Sequence, residues 1–362
     1  MPEFESFAAF ICDLIACSPQ LNKQNLIVNL IINPAAGGFR RKSYFLRLLE
    51  NLSAVRDRAV RDREVRDRVV FKQLEAGEKP RQFFEYHVFI TGSTGDALKK
   101  TEELVKSNEV ARGGKEFLVI TAGGDGTAAE AAQAVAEAPE HIRERFTLFR
   151  LPLGTGNYGL DAPALDQAWR LLLGPNSRKR IGYVVVEPSG SKPLYAFNIA
   201  SIGVDGYITE LSNRLKKVIP GSFYTLMVDV AALFYERRVD SLGMEIEIEK
   251  MEPKQGEYLL VAFGVTGNRN YGGGKRILPG EENVCLLRPM TLTRKFRVKK
   301  LFYWGAHNDL PEVDLFHADS LRINGPCSVP IQCDGESRWL LKEEFPLVMR
   351  RVEPAIYVLS KV

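Results

Sequence analysis

Residues 117–138 read FLVITAGGDGTAAEAAQAVAEA and contain the most informative turn of the chain. The stretch passes from mostly apolar, β-rich positions into three glycines around one aspartate, and then into an alanine-rich helical pattern. This order predicts a buried strand over Phe117–Thr121 and a helix over Ala128–Glu137. A strand-to-helix junction presents free backbone N–H groups and the positive end of the helix dipole, so it favours binding of a phosphate.

The residue types in this turn indicate which ligands bind there. Gly123, Gly124 and Gly126 leave room for a phosphate where a Cβ atom would block it, and Thr127 adds a hydroxyl donor. The carboxylate of Asp125 would repel a phosphate unless a divalent cation lies between the two groups. The turn therefore predicts a polyphosphate ligand and a Mg²⁺ ion that Asp125 holds directly or through water.

The neighbouring sequence repeats the alternation of strand and helix. Apolar runs predict further strands over Leu26–Ile32, Tyr86–Thr91 and Phe146–Leu151, and Asp96–Lys106 has a helical pattern. Strands that alternate with helices form a parallel sheet, and ligands bind at the carboxyl ends of its strands. Two more glycine-bearing loops, NPAAGG at 33–38 and LPLGTGNYG at 151–159, fall at those ends.

The pattern changes after about residue 160. Short β-like runs follow one another with Gly, Pro and Asn between them, and they predict a mainly antiparallel domain with a helical insertion over 208–235. We therefore expect an α/β domain over 1–160, a β-rich substrate domain over 161–345 and a C-terminal segment over 346–362. A return of the last strands to the first domain remains open.

Composition excludes several classes of protein. Among 362 residues, 49 are basic and 45 are acidic, a balance that does not suggest binding of nucleic acid. Five cysteines without Cys-x-x-Cys spacing disfavour disulfides and structural zinc and fit a reducing cytoplasm. The apolar stretch Phe7–Cys17 is too short for a transmembrane segment, and its spacing predicts an amphipathic helix packed on the protein.

Seven motifs follow one another along the chain: NPAAGG, TGSTGDA (91–97), AGGDGT (122–127), PLGTGN (152–157), FNIASIGVDG (197–206), YGGGKRILPG (271–280) and CDGE (333–336). Their order resembles that of the soluble lipid kinases built on a diacylglycerol kinase catalytic domain. This family includes diacylglycerol, sphingosine and ceramide kinases and has distant NAD kinase relatives. The resemblance covers most of the chain and is far more specific than any single motif.

The resemblance implies ATP- and Mg²⁺-dependent phosphorylation of a lipid hydroxyl, with diacylglycerol as the first choice of acceptor. It also implies a parallel-sheet α/β nucleotide-binding domain, as in NAD and diacylglycerol kinases, followed by a mainly antiparallel, β-sandwich-like domain, with ATP in the cleft between them. The family's nucleotide-binding positions correspond here to Asn33, Gly37, Gly38, Thr91, Gly123, Gly124, Asp125, Gly126, Thr127, Gly154, Thr155 and Asn157.

The role of general base has two candidates, Glu336 and Asp125, and Asp205 is a third acidic residue of interest. The DGE motif is similar to one that carries the proposed general base of bacterial diacylglycerol kinases, which implies that role for Glu336, with Asp334 beside it. Sphingosine kinases are discussed with the GGDG aspartate as the base, which corresponds here to Asp125. Asp205, in GVDG, is either a further contact to substrate or metal or an ordinary turn residue.

Two departures from the family keep alternatives open. Tyr158 follows Asn157 where the family reads GTxND, and the turn 279–284 is shorter than the acidic turn that serves a structural metal in bacterial relatives. A sphingosine- or ceramide-type kinase, an NAD kinase-like enzyme and a catalytically weak, nucleotide-dependent lipid-binding protein therefore stay in view. The expected partner is a lipid at a membrane surface, met from the cytoplasm at the inner face, and a homodimer remains open.

Overall fold

The computed structural model describes residues 2–40, 42–70, 82–107, 110, 113–154, 162, 164–215, 243–249, 251–271, 275–325 and 327–362. They belong to two compact units, Met1–Ile181 with Ala355–Val362, and Gly182–Pro354. The first unit extends about twenty residues beyond the sequence-based boundary near 160, and the last residues of the chain return to it.

The first unit is a parallel sheet with helices between its strands. Its elements are α1 (Pro2–Cys17), β1 (Leu26–Ile32), α2 (Gly37–Arg40), α3 (Lys42–Val70), β2 (Glu85–Ile90), α4 (Asp96–Val105), β3 (Glu116–Gly123), α5 (Asp125–Ala136), α6 (Glu140–Arg143), β4 (Phe146–Pro152), α7 (Leu165–Leu173) and the start of β5 (Asn176–Glu187). The strand order is β2-β1-β3-β4, and β4 pairs in parallel with the end of β18 (Leu347–Lys361). The predicted strands and helices of this region are confirmed.

The register of this sheet aligns its loops. Ile32 pairs with Ala122 and with Ile90, and Gly123 pairs with Pro152, so the carboxyl ends of all four strands lie at one edge. Every residue of β1 is buried, as expected of a parallel strand covered on both faces.

The amphipathic helix α1 packs on this unit, as predicted. Phe7, Ile11, Leu14 and Ile15 are all 0% exposed and belong to the same hydrophobic core as β1. Within the described residues, no helix is both long and apolar enough to cross a membrane.

The second unit is mainly antiparallel, which also confirms the prediction. Its elements are the rest of β5, β6 (Leu194–Ala196), β7 (Ile199–Gly203), α8 (Val204–Leu215), β8 (Gly243–Ile248), β9 (Lys254–Glu257), β10 (Leu260–Gly264), β11 (Arg269–Tyr271), β12 (Lys275–Leu278), β13 (Val284–Leu287), α9 (Leu292–Trp304), β14 (Val313–Phe316), β15 (Ser320–Asn324), β16 (Val329–Cys333), β17 (Glu336–Leu340), a short 3₁₀ helix (Lys342–Glu344) and the start of β18. One sheet has the order β14-β13-β10-β7-β16-β17. Helix α8 confirms the beginning of the predicted helical insertion, and residues 216–242 lie outside the described part of the chain.

Candidate active site

Asn33 joins two of the glycine loops in the first unit. Its backbone N–H donates to the carbonyl of Ala122 (2.9 Å), so the loop after β1 stays against β3. Its side-chain oxygen accepts the N–H of Ala35 (2.9 Å), and its Nδ2 donates to Oγ1 of Thr127 (2.8 Å). One asparagine therefore closes its own turn and holds the GGDGT loop.

Glycine permits the close approach of these loops at two positions. The N–H of Gly38 donates to the carbonyl of Leu153 (3.0 Å), and a Cβ atom on Gly38 would lie 3.1 Å from that oxygen. A Cβ atom on Gly123 would lie 3.2 Å from Cβ of Asn33, in the loop after β1. The NPAAGG, AGGDGT and PLGTGN loops are thus in direct contact.

The remaining nucleotide-binding candidates lie around this contact. Gly37 is exposed at the start of α2, Gly126 belongs to the first turn of α5, and Gly154 directly follows the loop residue Leu153. Thr155 and Asn157, together with Tyr158, lie outside the described residues.

Thr91 lies at the same edge of the sheet, where a carboxylate orders the loop that follows it. Thr91 is buried, and its N–H donates to the carbonyl of Ile32 (2.8 Å). Asp96 accepts the N–H groups of Gly92 (2.7 Å) and Ser93 (2.8 Å), and these hydrogen bonds lower the pKa of Asp96 below its ordinary value.

Glu130 on α5 attaches this loop to the GGDGT helix. Its carboxylate accepts the N–H groups of Gly95 (2.8 Å) and Ala97 (3.2 Å) at the start of α4. Sequence analysis did not single out Glu130, because its partners lie more than thirty residues earlier in the chain.

Asp125 begins α5 and forms an ion pair with an arginine that the sequence analysis also missed. Nη1 of Arg150 on β4 lies 2.9 Å from Oδ1 of Asp125, and the two side chains are 20% and 27% exposed, respectively. The signal was present, since Arg150 is the one charged residue in the apolar strand FTLFRLP, just before the LGTGN loop.

This ion pair bears on the predicted metal. The guanidinium of Arg150 already neutralises the charge of Asp125, and across the described residues no group of three or more His, Cys, Asp or Glu side chains could hold a metal ion. Mg²⁺ in kinases is bound largely by substrate phosphates and water with one or two carboxylates. Coordination by Asp125 stays a prediction.

The DGE motif of the second unit forms a tight hairpin. Cys333 at the end of β16 pairs with Glu336 at the start of β17, and the two residues between them have φ values of 49° (Asp334) and 94° (Gly335). Two left-handed residues in succession are what a two-residue type I′ turn requires, and Asp-Gly is a preferred sequence for it. The turn places Glu336 at an exposed position.

The carboxylate of Asp334 accepts hydrogen bonds from three successive backbone N–H groups. The donors are Phe197, Asn198 (3.0 Å) and Ile199 (2.9 Å), which lead into β7. Both oxygens of Asp334 are used in this way. The geometry therefore gives Asp334 an anchoring role between the hairpin and β7.

A buried polar network lies beneath this turn. Nε2 of Gln332, which is 0% exposed, donates to Oγ of Ser201 (2.7 Å) and to Oδ2 of Asp205 (3.3 Å), and its Oε1 accepts the N–H of Gly335 (3.0 Å). The hydroxyl of Ser201 also donates to Oδ2 of Asp205. Asp205 is thus a buried member of the network that supports the hairpin.

Helix α8 supports the same hairpin from its side. Nδ2 of Asn213 donates to the carbonyl of Gly335 (3.0 Å), and Nε1 of Trp339 donates to Glu210 (2.8 Å). A Cβ atom on Gly206 would lie 2.6 Å from the backbone of Pro330, so glycine permits this contact of the helix with β16.

The site residues thus form two groups, each within one unit. Glycine loops that meet at the carboxyl ends of parallel strands can bind phosphate through backbone N–H groups. An exposed glutamate on a rigid hairpin can accept a proton. Together these features define a class of protein, the phosphotransferases that act from a nucleotide-binding α/β unit.

Comparisons with known proteins show which proteins the chain resembles. Residues 28–167 match the family model described as "Diacylglycerol kinase catalytic domain". The chain is 25% identical over 288 residues to a diacylglycerol kinase of Staphylococcus haemolyticus, covering 75% of this chain and 79% of the relative. It is 30% identical over 206 residues to a YegS-like lipid kinase of Pectobacterium atrosepticum, covering 56% of this chain and 62% of the relative.

The fold has a counterpart among solved structures. The crystal structure of a diacylglycerol kinase from Bacillus anthracis matches with a TM-score of 0.52 at 17% identity, covering 93% of this chain and 96% of that one. This likeness confirms the predicted fold class. Residues 28–167 are therefore similar to the diacylglycerol kinase catalytic domain, and the chain resembles proteins described as diacylglycerol kinases and lipid kinases.

Proposed function

We propose that this protein is a lipid kinase that transfers the γ-phosphate of ATP to the free hydroxyl of diacylglycerol and forms phosphatidic acid at a membrane surface reached from the cytoplasm. The observation that carries the proposal is the contact of three glycine loops through Asn33, Thr127, Gly38 and Leu153. Backbone N–H groups gathered in this way suit the phosphates of a nucleotide.

In the proposed reaction, the lipid hydroxyl oxygen forms a bond to the γ-phosphorus while the bond from that phosphorus to the bridging oxygen of ADP breaks. Glu336 accepts the hydroxyl proton, and ADP leaves. Phosphoryl transfer depends mainly on positioning and charge neutralisation, and Mg²⁺ held through Asp125 would supply part of that neutralisation.

Glu336 is our choice of base because of what surrounds the other carboxylates. Asp125 is ion-paired with Arg150, and Asp334 accepts three backbone N–H groups. Glu336 is exposed, and the carbonyl and N–H of the adjacent Gly335 are bonded to Asn213 and Gln332. An exposed residue held on a fixed backbone meets the geometric requirement for a general base.

The test is ATP turnover by the purified chain with Mg²⁺ and mixed micelles of diacylglycerol, sphingosine or ceramide, with NAD as a soluble acceptor. We expect turnover with diacylglycerol, and we expect Glu336→Gln to lower kcat by about 100-fold or more, the usual contribution of a general base. Glu343→Gln, at an exposed glutamate of the 3₁₀ helix, is the matched control and should leave kcat unchanged.

Other outcomes would contradict the proposal in distinct ways. Turnover with sphingosine or ceramide alone would change the acceptor, and turnover with NAD alone would replace the lipid assignment. ATP binding without turnover on any acceptor would favour the nucleotide-dependent lipid-binding protein. Full activity in Glu336→Gln would remove Glu336 from the mechanism.

A further inference from the structure

Helix α9, Leu292–Trp304, has one face in the core and one unusual exposed face. Its sequence, LTRKFRVKKLFYW, contains five basic residues and no acidic one. Lys295 and Val298 are buried, and Leu301 and Phe302 pack against the hydrophobic core of the second unit. The opposite face carries large apolar side chains in contact with solvent.

These exposed side chains form a row. Leu292, Phe296 and Trp304 are 37%, 58% and 67% exposed, and Lys300 is exposed between the last two. Residues four apart are neighbours on a helix surface, about 6 Å apart along the axis. Arg297 is exposed beside this row. We call these five residues the outer face of α9.

The charges on this helix favour one kind of partner. Arg294 is ion-paired with Glu312 (3.0 Å), which lowers the pKa of Glu312, so its charge is compensated within the protein. Arg297 and Lys300 present their charges next to exposed Phe296 and Trp304. Aromatic rings settle at the boundary between lipid headgroups and acyl chains, while long basic side chains extend to anionic headgroups.

We propose that the outer face of α9 docks the enzyme on an anionic lipid bilayer, with Phe296 and Trp304 inserted at the headgroup level and Arg297 and Lys300 on the headgroups. This deepens the proposed function by naming the surface through which the enzyme meets its lipid. A surface of this composition costs free energy in water, and contact with a bilayer recovers that cost.

The test is sedimentation of the full chain with vesicles, without ATP or diacylglycerol. We expect binding to vesicles of phosphatidylglycerol and phosphatidylcholine, and weaker binding to phosphatidylcholine alone. Arg297→Gln with Lys300→Gln should weaken partition about 30-fold, since each basic residue contributes roughly 1 kcal/mol at an anionic surface. Lys342→Gln with Lys361→Gln, at exposed lysines elsewhere, is the charge control and should bind like the unmodified chain.

The apolar part of the face has its own variants. Phe296→Ser with Trp304→Ser should weaken partition by about tenfold or more through lost apolar burial. The control is Leu46→Ser with Val88→Ser, at exposed apolar residues of the first unit that are 43% and 45% exposed. A circular dichroism spectrum and a urea midpoint like those of the unmodified chain show that each variant is folded.

The fluorescence of Trp304 can report how deeply helix α9 inserts into the bilayer. Lipids brominated near the headgroup should quench the tryptophan fluorescence of the unmodified chain, and Trp304→Phe should abolish this quenching. Trp339→Phe, at a tryptophan bonded to Glu210, should retain it.

Three results would overturn the inference: no vesicle binding by the unmodified chain, equal binding by the Phe296→Ser, Trp304→Ser variant, or binding to DNA in preference to anionic vesicles. Failure of the proposed function is a separate result. In that case the chain binds vesicles through α9 but transfers no phosphate to diacylglycerol.

Discussion

Asp334 offers the most direct test of how the DGE motif is built. Replacing it with alanine removes the acceptor of the N–H groups of Phe197, Asn198 and Ile199 and places a Cβ-bearing residue without a polar side chain at a φ of 49°. We expect the loop before β7 and the hairpin β16–β17 to separate locally. Glu336, the next residue but one, should then lose its fixed position.

The magnitude follows from the contacts. Each N–H left without its acceptor costs about 1–3 kcal/mol, less where water can reach it, and the left-handed conformation of alanine adds roughly 1 kcal/mol. We therefore expect Asp334→Ala to lower the free energy of unfolding of the second unit by about 4 kcal/mol. Asp334→Asn keeps an acceptor oxygen and tolerates the positive φ, so about 1–2 kcal/mol is expected.

A third variant separates the two causes. Asp334→Gly removes the carboxylate but accepts the positive φ, so it should be about 1 kcal/mol more stable than Asp334→Ala. Asp309→Ala, at an exposed aspartate of the same unit, is the control and should change stability by less than about 0.5 kcal/mol.

The assay is native-state amide hydrogen exchange at residues 197, 198 and 199, combined with urea denaturation. Exchange is needed because a chain with two units need not unfold in one step, whereas these amides report the local opening. We expect the three amides to lose most of their protection in Asp334→Ala and to keep part of it in Asp334→Asn. Protection in Asp334→Ala equal to that of the unmodified chain would refute the anchoring role.

Three further predictions concern single contacts. Glu344 has a pKa lowered to about 2, chiefly by its hydrogen bond from Arg338. A carboxyl group whose pKa is lower in the folded state than its unfolded value of about 4.3 stabilises the folded state at pH values above 4.3, and this stabilisation is lost as the pH falls toward 2. Urea denaturation should therefore show Glu344→Gln to be less stable at pH 7 and less sensitive to acid between pH 5 and 2 than the unmodified chain, and parallel pH curves would contradict this. Gly206→Ala would put a Cβ atom 2.6 Å from the backbone of Pro330 and should cost about 2–3 kcal/mol in thermal or chemical denaturation; unchanged stability would show that α8 can shift. A Cβ atom added at Gly124 would meet no atom within 4 Å, and the residue has an ordinary φ of −88°. Gly124→Ala should therefore leave the Tm unchanged while the KM for ATP rises. An unchanged KM would mean that no phosphate approaches this backbone.

The fold and the meeting of the glycine loops were accessible to sequence reasoning because both depend on local pattern. Buried runs such as Leu26–Ile32 and the helical pattern after Gly126 give the alternation of strand and helix, and alternation alone brings the loops to one edge of a parallel sheet. The Arg150–Asp125 ion pair was not accessible in this way. It depends on the register that pairs Thr121 with Arg150, and composition does not specify the pairing of two apolar strands.

The DGE motif shows a different limit. Its sequence indicates catalysis, yet the structure uses its first two residues, Asp334 and Gly335, to form and anchor a turn, which leaves Glu336 as the residue that projects from it. The partners that fix the turn lie about 130 residues away along the chain, and only the pairing of β16 with β7 brings them near.

That pairing also explains the buried polar network. Gln332 and Ser201 are cross-strand partners on two strands whose residues are all buried, so each polar side chain needs the other to avoid the cost of an unsatisfied group. Gln332 then has an oxygen available for the N–H of Gly335. Replacing both Gln332 and Ser201 by apolar residues would leave the buried carboxylate of Asp205 without these two donors, so we expect the double replacement to cost at least as much stability as either single one. It would also remove support from the turn that carries Glu336. A variant at Gln332 that stays folded under the assay conditions and loses more activity than a control variant of equal stability would indicate that this polar core positions the proposed base.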